Sequence, residues 1–241
     1  MKRTIVAMLL LLLLTGCNVT SKKKNTIKVG ASSTPHALIL EQTREYLKTR
    51  GYELEIVVFD DYVLPNLALE NDELDANYFQ HVPYLNSFNE ENGTHIVPCF
   101  KVHFEPMGVY AGKKTSYSTG DTIVVPSDSS NYDRALALLE AHGWTGANIM
   151  MMEAQNIPMA LRDCDFAVVN GNYALASEIT DRLIYSEDRT IYIADKMANV
   201  IAIKHESEKI RVLVEALKQP NIEEYINEQF KGSVVYLGVH A

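Results

Sequence analysis

Two groups of residues in this chain are suited to holding a small molecule. The first begins at Asp60-Asp61-Tyr62-Val63-Leu64-Pro65-Asn66. It resumes at Leu74-Asp75-Ala76-Asn77-Tyr78-Phe79-Gln80-His81-Val82-Pro83-Tyr84-Leu85. Aromatic faces with a few polar tips are what a pocket for a small amphipathic ligand needs. Tyr62, Phe79, His81 and Tyr84 are the candidate walls, while strand alternation turns Tyr78 away from Phe79 into plain core. His36, just after Pro35, is either a further wall or a helix cap. The second group centres on Arg134, in Val125-Pro126-Ser127-Asp128-Ser129-Ser130-Asn131-Tyr132-Asp133-Arg134. A helix over 131–142 places this arginine in a first turn, where a cation is mildly disfavoured. It therefore calls for an anion. A ligand carboxylate held by two parallel hydrogen bonds is one reading; a surface pair with Asp128 or Asp133 is the other.

The chemistry on offer is recognition. There is no Gly-x-Ser-x-Gly elbow, no Gly-x-x-x-x-Gly-Lys loop and no His-Glu-x-x-His helix, so no catalytic residue is assigned. The seven histidines are scattered without a short-spaced pair, and neither a metal nor a cofactor is expected. A net charge of −9 with no basic stripe argues against nucleic acid.

These residues must be held by an alternation of strand-like and helix-like segments. Strands are expected at 27–31, 54–59, 75–79, 123–125, 166–169, 191–193 and 200–203, with a long extended region over 95–112. Helices are expected at 35–50, 65–73, 83–91 and 131–142, and two more close the chain. In the first of these, Ile210, Leu213, Val214 and Leu217 repeat at helical spacing. Such alternation predicts an α/β fold with mainly parallel sheet. Ligands of open α/β sheets bind beyond the carboxyl ends of the strands. The residues after each apolar run are therefore candidates: 32–36, 60–62, 79–84, 127–134 and 170–173.

The N-terminal residues read as a targeting segment. Lys2 and Arg3 precede an apolar run over 5–14 that is too short to span a bilayer. The run ends in Leu14-Thr15-Gly16-Cys17, which resembles the lipobox of bacterial lipoproteins. That resemblance implies cleavage before Cys17 and diacylation of its thiol; a secretory signal with a chance cysteine is the other reading. Residues 17–26, with Lys22, Lys23 and Lys24, read as a flexible tether. Cys99 and Cys164 are expected as buried free thiols, a disulfide between them being the other reading. No later apolar run approaches the ~18 residues of a membrane-spanning helix.

The order of residues from Asp60 to Leu85 resembles the methionine-binding lipoproteins of the NlpA type, solute-binding components of methionine ABC transporters. The segment from Pro126 to Leu136 resembles that family's Pro-x-Asp-x-x-Asn-x-x-Arg-Ala-Leu loop. The resemblance implies an α/β fold of the type II periplasmic-binding kind, with two lobes joined by crossover strands and a ligand cleft between them. Lobe 1 would comprise 27–106 plus 200–241, and lobe 2 would comprise 107–199, following the signal segment 1–16. It implies that Arg134 holds the methionine carboxylate. Asn170, and Asn199 on the returning crossover, would help hold the amino group and carboxylate. Tyr62, Phe79, His81 and Tyr84 would surround the thioether, which favours aromatic contacts. The partners implied are methionine, an ABC permease with its ATPase, and a membrane reached only through the lipid on Cys17, outside the cytoplasm. Another amino acid, a methionine dipeptide or sulfoxide, and a surface lipoprotein of adhesive or immune role with a degraded pocket remain alternatives. The chain departs from the family pattern after Gly143, where it runs early into Met150-Met151-Met152 and Met159 replaces an arginine. A smaller second lobe is expected.

Overall fold

The computed structural model describes residues 25–241. The signal segment, Cys17 and almost all of the tether lie outside those residues. The chain forms two α/β lobes, each built on its own mixed sheet. The first sheet contains β1 (Thr26–Ala31), β2 (Glu53–Val58), β3 (Ala76–His81), β4 (Val97–Phe104), β10 (Ala198–Ile203) and β11 (Val235–His240). Their spatial order is β11-β4-β10-β3-β1-β2. The second contains β5 (Gly108–Ala111), β6 (Thr122–Pro126), β7 (Asn148–Met152), β8 (Phe166–Val169) and β9 (Leu183–Ser186), ordered β7-β6-β8-β5-β9. The chain passes between sheets twice, from β4 to β5 and from β9 to β10.

The sheets are not mainly parallel. β1 runs parallel to β2 and β3, and β6 runs parallel to β7 and β8. The strands flanking the crossovers run antiparallel: β10 to β3 and β4, β11 to β4, and β5 to β8 and β9. A strand that carries the chain from one sheet to the other meets its neighbours head-on, which the local alternation of elements does not reveal.

Burial follows this layout. All six residues of β10 and all four of β8 are buried, as central strands covered on both faces require. Ile210, Leu213, Val214 and Leu217 of the helix Glu208–Leu217 pack with Ile27, Val29, Phe100 and Ile201 into the core of the first lobe. The second lobe has apolar clusters of its own, one around Val125, Leu138 and Phe166 and another around Val124, Leu161 and Val169. Cys164 is buried, Cys99 is half-buried, and both are free.

Three local expectations need correction. The helix expected over 35–50 is broken into Leu38–Glu41 and Arg44–Thr49. There the Thr43 hydroxyl donates to the Leu40 carbonyl at 2.6 Å, a local side-chain bond of the kind that competes with helix. Residues 191–193 lie in the helix Ile191–Lys196, not in a strand; a three-residue apolar run carries no period to decide between the two. The chain closes with β11 after the helices Glu208–Leu217 and Pro220–Phe230. A register shift between Tyr236 and Val239, with Gly238 at φ 64°, conceals that strand's alternation.

Candidate functional site

The cleft lies where both crossovers meet the carboxyl ends of β3 and β8. Its first wall is aromatic. His81 ends β3 and caps the helix Val82–Asn92, its Nδ1 accepting from the Tyr84 amide at 3.1 Å. That cap fixes Tyr84 beside Phe79 and Tyr62, with ring centroids 5.6 Å (Tyr62–Tyr84), 5.7 Å (Tyr62–Phe79) and 6.1 Å (Phe79–Tyr84) apart. The Tyr84 hydroxyl donates to the Tyr62 carbonyl at 3.0 Å. Burial raises the pKa of both phenols, so they remain neutral hydrogen-bond donors.

The second wall is made of amides. Because Nδ1 of His81 accepts, its proton sits on Nε2, which donates across the cleft to Asn131 Oδ1 at 3.1 Å. Burial, then the neighbouring Arg134 charge, holds His81 down at about 3, so the ring is neutral. Asn170 Nδ2 donates to the same Asn131 oxygen at 2.8 Å, and Asn131 Nδ2 donates to the carboxylate of Asp128, the cap of the helix Ser129–Ala141. Two further bonds join the lobes: Tyr62 hydroxyl to Asn172 Oδ1 at 2.6 Å, and Tyr173 hydroxyl to the Asp60 carbonyl at 3.0 Å. The lobes are closed on each other here, and the cavity enclosed by these residues is about 20 Å³, room for one or two waters.

Arg134 is buried, and the helix begins early enough, at Ser129, to put it in the second turn. Neither Asp128 nor Asp133 pairs with it. Glu187, on the crossover after β9, takes its fork instead: Nε donates to Oε1 at 2.7 Å and Nη2 to Oε2 at 2.5 Å. Nη2 also donates to the Glu105 carbonyl at 2.9 Å, and Glu187 accepts from the Met107 amide at 3.0 Å. The two-bond edge expected for a ligand carboxylate is thus occupied by the protein itself, and Nη1 is the nitrogen left outside these bonds.

Glu105, on the outgoing crossover, is the residue that sequence reasoning missed. It lines the cavity and is 5% exposed. Burial pushes its carboxyl up to about 7, against the opposing pull of His36 and Arg134. Oε1 accepts from His103 Nε2 at 2.7 Å, and His103 Nδ1 meets the Tyr78 hydroxyl. Oε2 has no partner, and neither does Asn170 Oδ1; both atoms are buried. His36 does not line the cavity. It is fully buried behind the wall, with Nε2 3.0 Å from Asn199 Oδ1 and 3.4 Å from Glu105 Oε1. Burial holds His36 at about 4 and His103 at about 3, so both rings are neutral. The histidines that look scattered in sequence therefore converge. His36, His103 and Glu105 bring ligand-type atoms within 4.8 Å of one another, the one group among the described residues with the makings of a metal site. Of its facing atoms, His103 Nε2 already bonds Glu105 Oε1, and His36 Nε2 already bonds Asn199.

Tyr62, Phe79, His81, Tyr84, Arg134, Asn170 and Asn199 all line this one cavity, together with Gln80, Glu105, Asn131 and Asn172. The family model for the NlpA lipoproteins matches residues 27–148 and 146–237. The chain belongs to the NlpA lipoprotein family. Among solved relatives, a lipoprotein from Ruminococcus gnavus is 42% identical, with a TM-score of 0.85 over 88% of this chain and 99% of that one. A nutrient-binding protein from Burkholderia cenocepacia, solved bound to methionine, is 34% identical, with a TM-score of 0.80 over 87% of this chain and 99% of its own. The methionine-binding lipoprotein MetQ of Bacillus subtilis is 30% identical over 90% of each chain. Against this family background, Glu105 had one sequence signal: a lone acid inside the apolar run Val102-His103-Phe104-Glu105-Pro106-Met107. Glu187 had none, because its partner lies 53 positions away.

Proposed function

We propose that this NlpA lipoprotein captures methionine outside the cytoplasm and hands it to an ABC importer, making and breaking no bond. The observation that carries the reading is the pair of orphaned acceptors, Glu105 Oε2 and Asn170 Oδ1, on residues lining one closed cavity. Buried acceptors without donors are costly, at about 1–3 kcal/mol each. An α-ammonium group supplies the missing donors, and its charge matches the Glu105 carboxylate. Arg134 Nη1 faces the carboxylate of the same ligand. Tyr62, Phe79 and Tyr84 take the side chain, where sulfur–aromatic contacts contribute roughly 0.3–1.5 kcal/mol each. Asn199, braced from behind by His36, completes the wall. With so little free space in the closed form, the ligand enters when the lobes part, and its contacts to both lobes favour re-closure. Methionine in the relatives from B. cenocepacia and B. subtilis supports this choice of ligand. Diacylation of Cys17 would hold the protein at the membrane, beside a permease and its ATPase.

The test is native mass spectrometry of the purified protein, followed by calorimetry with L-methionine after unfolding and refolding to strip endogenous ligand. A mass increment of one methionine and a saturable isotherm are expected. A protein that emerges empty and gives no heat with methionine overturns the reading.

A further inference from the structure

The side-chain end of the cleft is aromatic at its surface and acidic around it. The rings of Tyr62, Phe79 and Tyr84 stand 5.6, 5.7 and 6.1 Å apart, and Tyr173 continues the wall with its ring 5.0 Å from that of Tyr62. The three hydroxyl protons are committed to the protein: Tyr62 donates to Asn172, Tyr84 to the Tyr62 carbonyl and Tyr173 to the Asp60 carbonyl. The wall therefore presents a ligand chiefly with ring carbon. Tyr84 also lines a second hollow, of about 290 Å³, which holds Glu91, Asp128 and Glu153 and, among the described residues, no lysine or arginine. Burial is the first cause of the raised pKa of all three phenols, and carboxylates add to it. Glu105 and Asp128 act on Tyr62, Asp128, Asp61 and Glu91 on Tyr84, and Asp61, Asp60 and Asp128 on Tyr173. The adjoining His81 ring is neutral.

Ring faces carry negative potential and attract cations, most of all those whose charge is shielded by carbon. A sulfonium is such a cation. It keeps the chain of methionine, adds one alkyl group to the sulfur and brings no N–H or O–H that needs an acceptor. A lysine-type ammonium of similar reach would bring three donors to a wall of ring carbon. We propose that the side-chain end of this cleft takes S-alkylated, cationic methionine, a sulfonium such as S-methylmethionine, alongside the neutral thioether. The ring faces hold the cation, the surrounding carboxylates favour its charge, and the hollow beside Tyr84 leaves room for the added group. The inference rests on the methionine reading of the site but can fail without it.

Calorimetry with L-methionine, S-methyl-L-methionine and L-2-amino-5-methylhexanoic acid separates the two. The last is the neutral isostere of the sulfonium, with CH in place of S⁺, so the pair differs in charge and not in shape. The sulfonium should bind within about tenfold of methionine and at least about fivefold tighter than its isostere, as a cation–π wall requires. Methionine binding with the sulfonium outside either limit overturns the inference and leaves the methionine reading standing. Silence of methionine overturns both. The variant Tyr84→Leu supplies a readout that a merely structural role would not move. A general loosening weakens sulfonium and isostere alike and keeps their ratio, whereas loss of a ring face should cut that ratio at least about twofold. A smaller change overturns the role given to the rings.

Discussion

The two ends of the cleft are built on opposite plans. At one end, Glu105 and Asn170 present buried acceptors with nothing to accept from. At the other, Arg134 has its fork filled by Glu187, with the Glu105 carbonyl and the Met107 amide completing the group. One end is incomplete without a ligand; the other is paired within the chain at every nitrogen of Arg134 but Nη1. The first gains free energy chiefly by binding, the second chiefly by folding. Substitutions at the two ends should therefore separate affinity from stability.

The largest effect is expected at the paired end. Arg134→Ala leaves the partly buried Glu187 carboxylate beside an empty space, and breaking a pair so far removed from water costs up to about 3–5 kcal/mol. Urea denaturation of the ligand-free protein measures it; a loss below about 1 kcal/mol, typical of exposed pairs, would erase the contrast. At the incomplete end, Glu105→Gln removes a charge-assisted contact of about 1.5–3 kcal/mol. Methionine affinity should fall ten- to more than a hundredfold while the ligand-free protein keeps its stability or gains some. Equal losses of stability and affinity would mean that Glu105 belongs to the scaffold.

The pH dependence sharpens the contrast further. Glu105 titrates at about 7 in the ligand-free fold, and His36, His81 and His103 stay neutral down to about 4, 3 and 3. Between pH 5 and 8, Glu105 is thus the cleft group that changes charge. Binding an ammonium needs its carboxylate, so methionine affinity should fall by about tenfold per pH unit below 7, with a proton released on binding. Calorimetry in buffers of differing ionisation enthalpy counts that proton, and Glu105→Gln should abolish its release. The stability contribution has the opposite sign. The carboxyl is raised above its ordinary value, so its contribution is full below about 4.5 and lost as pH rises through 7. The histidines, held below their ordinary value, lose theirs as pH falls from 6.5. Comparing wild type with Glu105→Gln isolates the carboxyl from these. The smallest effect belongs to the bridge between lobes. Tyr62→Phe deletes the bond to Asn172, worth about 0.5–1.5 kcal/mol. Stopped-flow release of methionine should quicken two- to tenfold, and an unchanged rate would show that this bond does not hold the lobes closed.

Much of the cleft was legible in the sequence because strand ends are local. Pro83 and Tyr84 after β3, and Asn170 and Gly171 after β8, follow apolar runs closely enough for the strand-end rule to find them. Tyr62 and Arg134 fall within the same windows. Glu105 was lost because it sits in a crossover that reads as one long extended region. His36 appeared as a possible wall because its side-chain direction depends on packing against Asn199 and Tyr78, residues far away in sequence. The antiparallel strands and β11 were missed for the same reason: direction and register belong to pairs of strands, not to single ones.

The sequence by itself determined the family, the α/β alternation and the set of residues at the strand ends, since each rests on residue types at short spacing. The tertiary structure alone decided which charges remain to be satisfied. Arg134 looked like a cation awaiting an anion, and Glu105 was one unremarked residue of a long extended region. Folding brought Glu187 onto the arginine and left the glutamate oxygen unpaired. Whether a buried charge is available depends on what lies within hydrogen-bond reach in three dimensions, and no pattern along the chain carries that information.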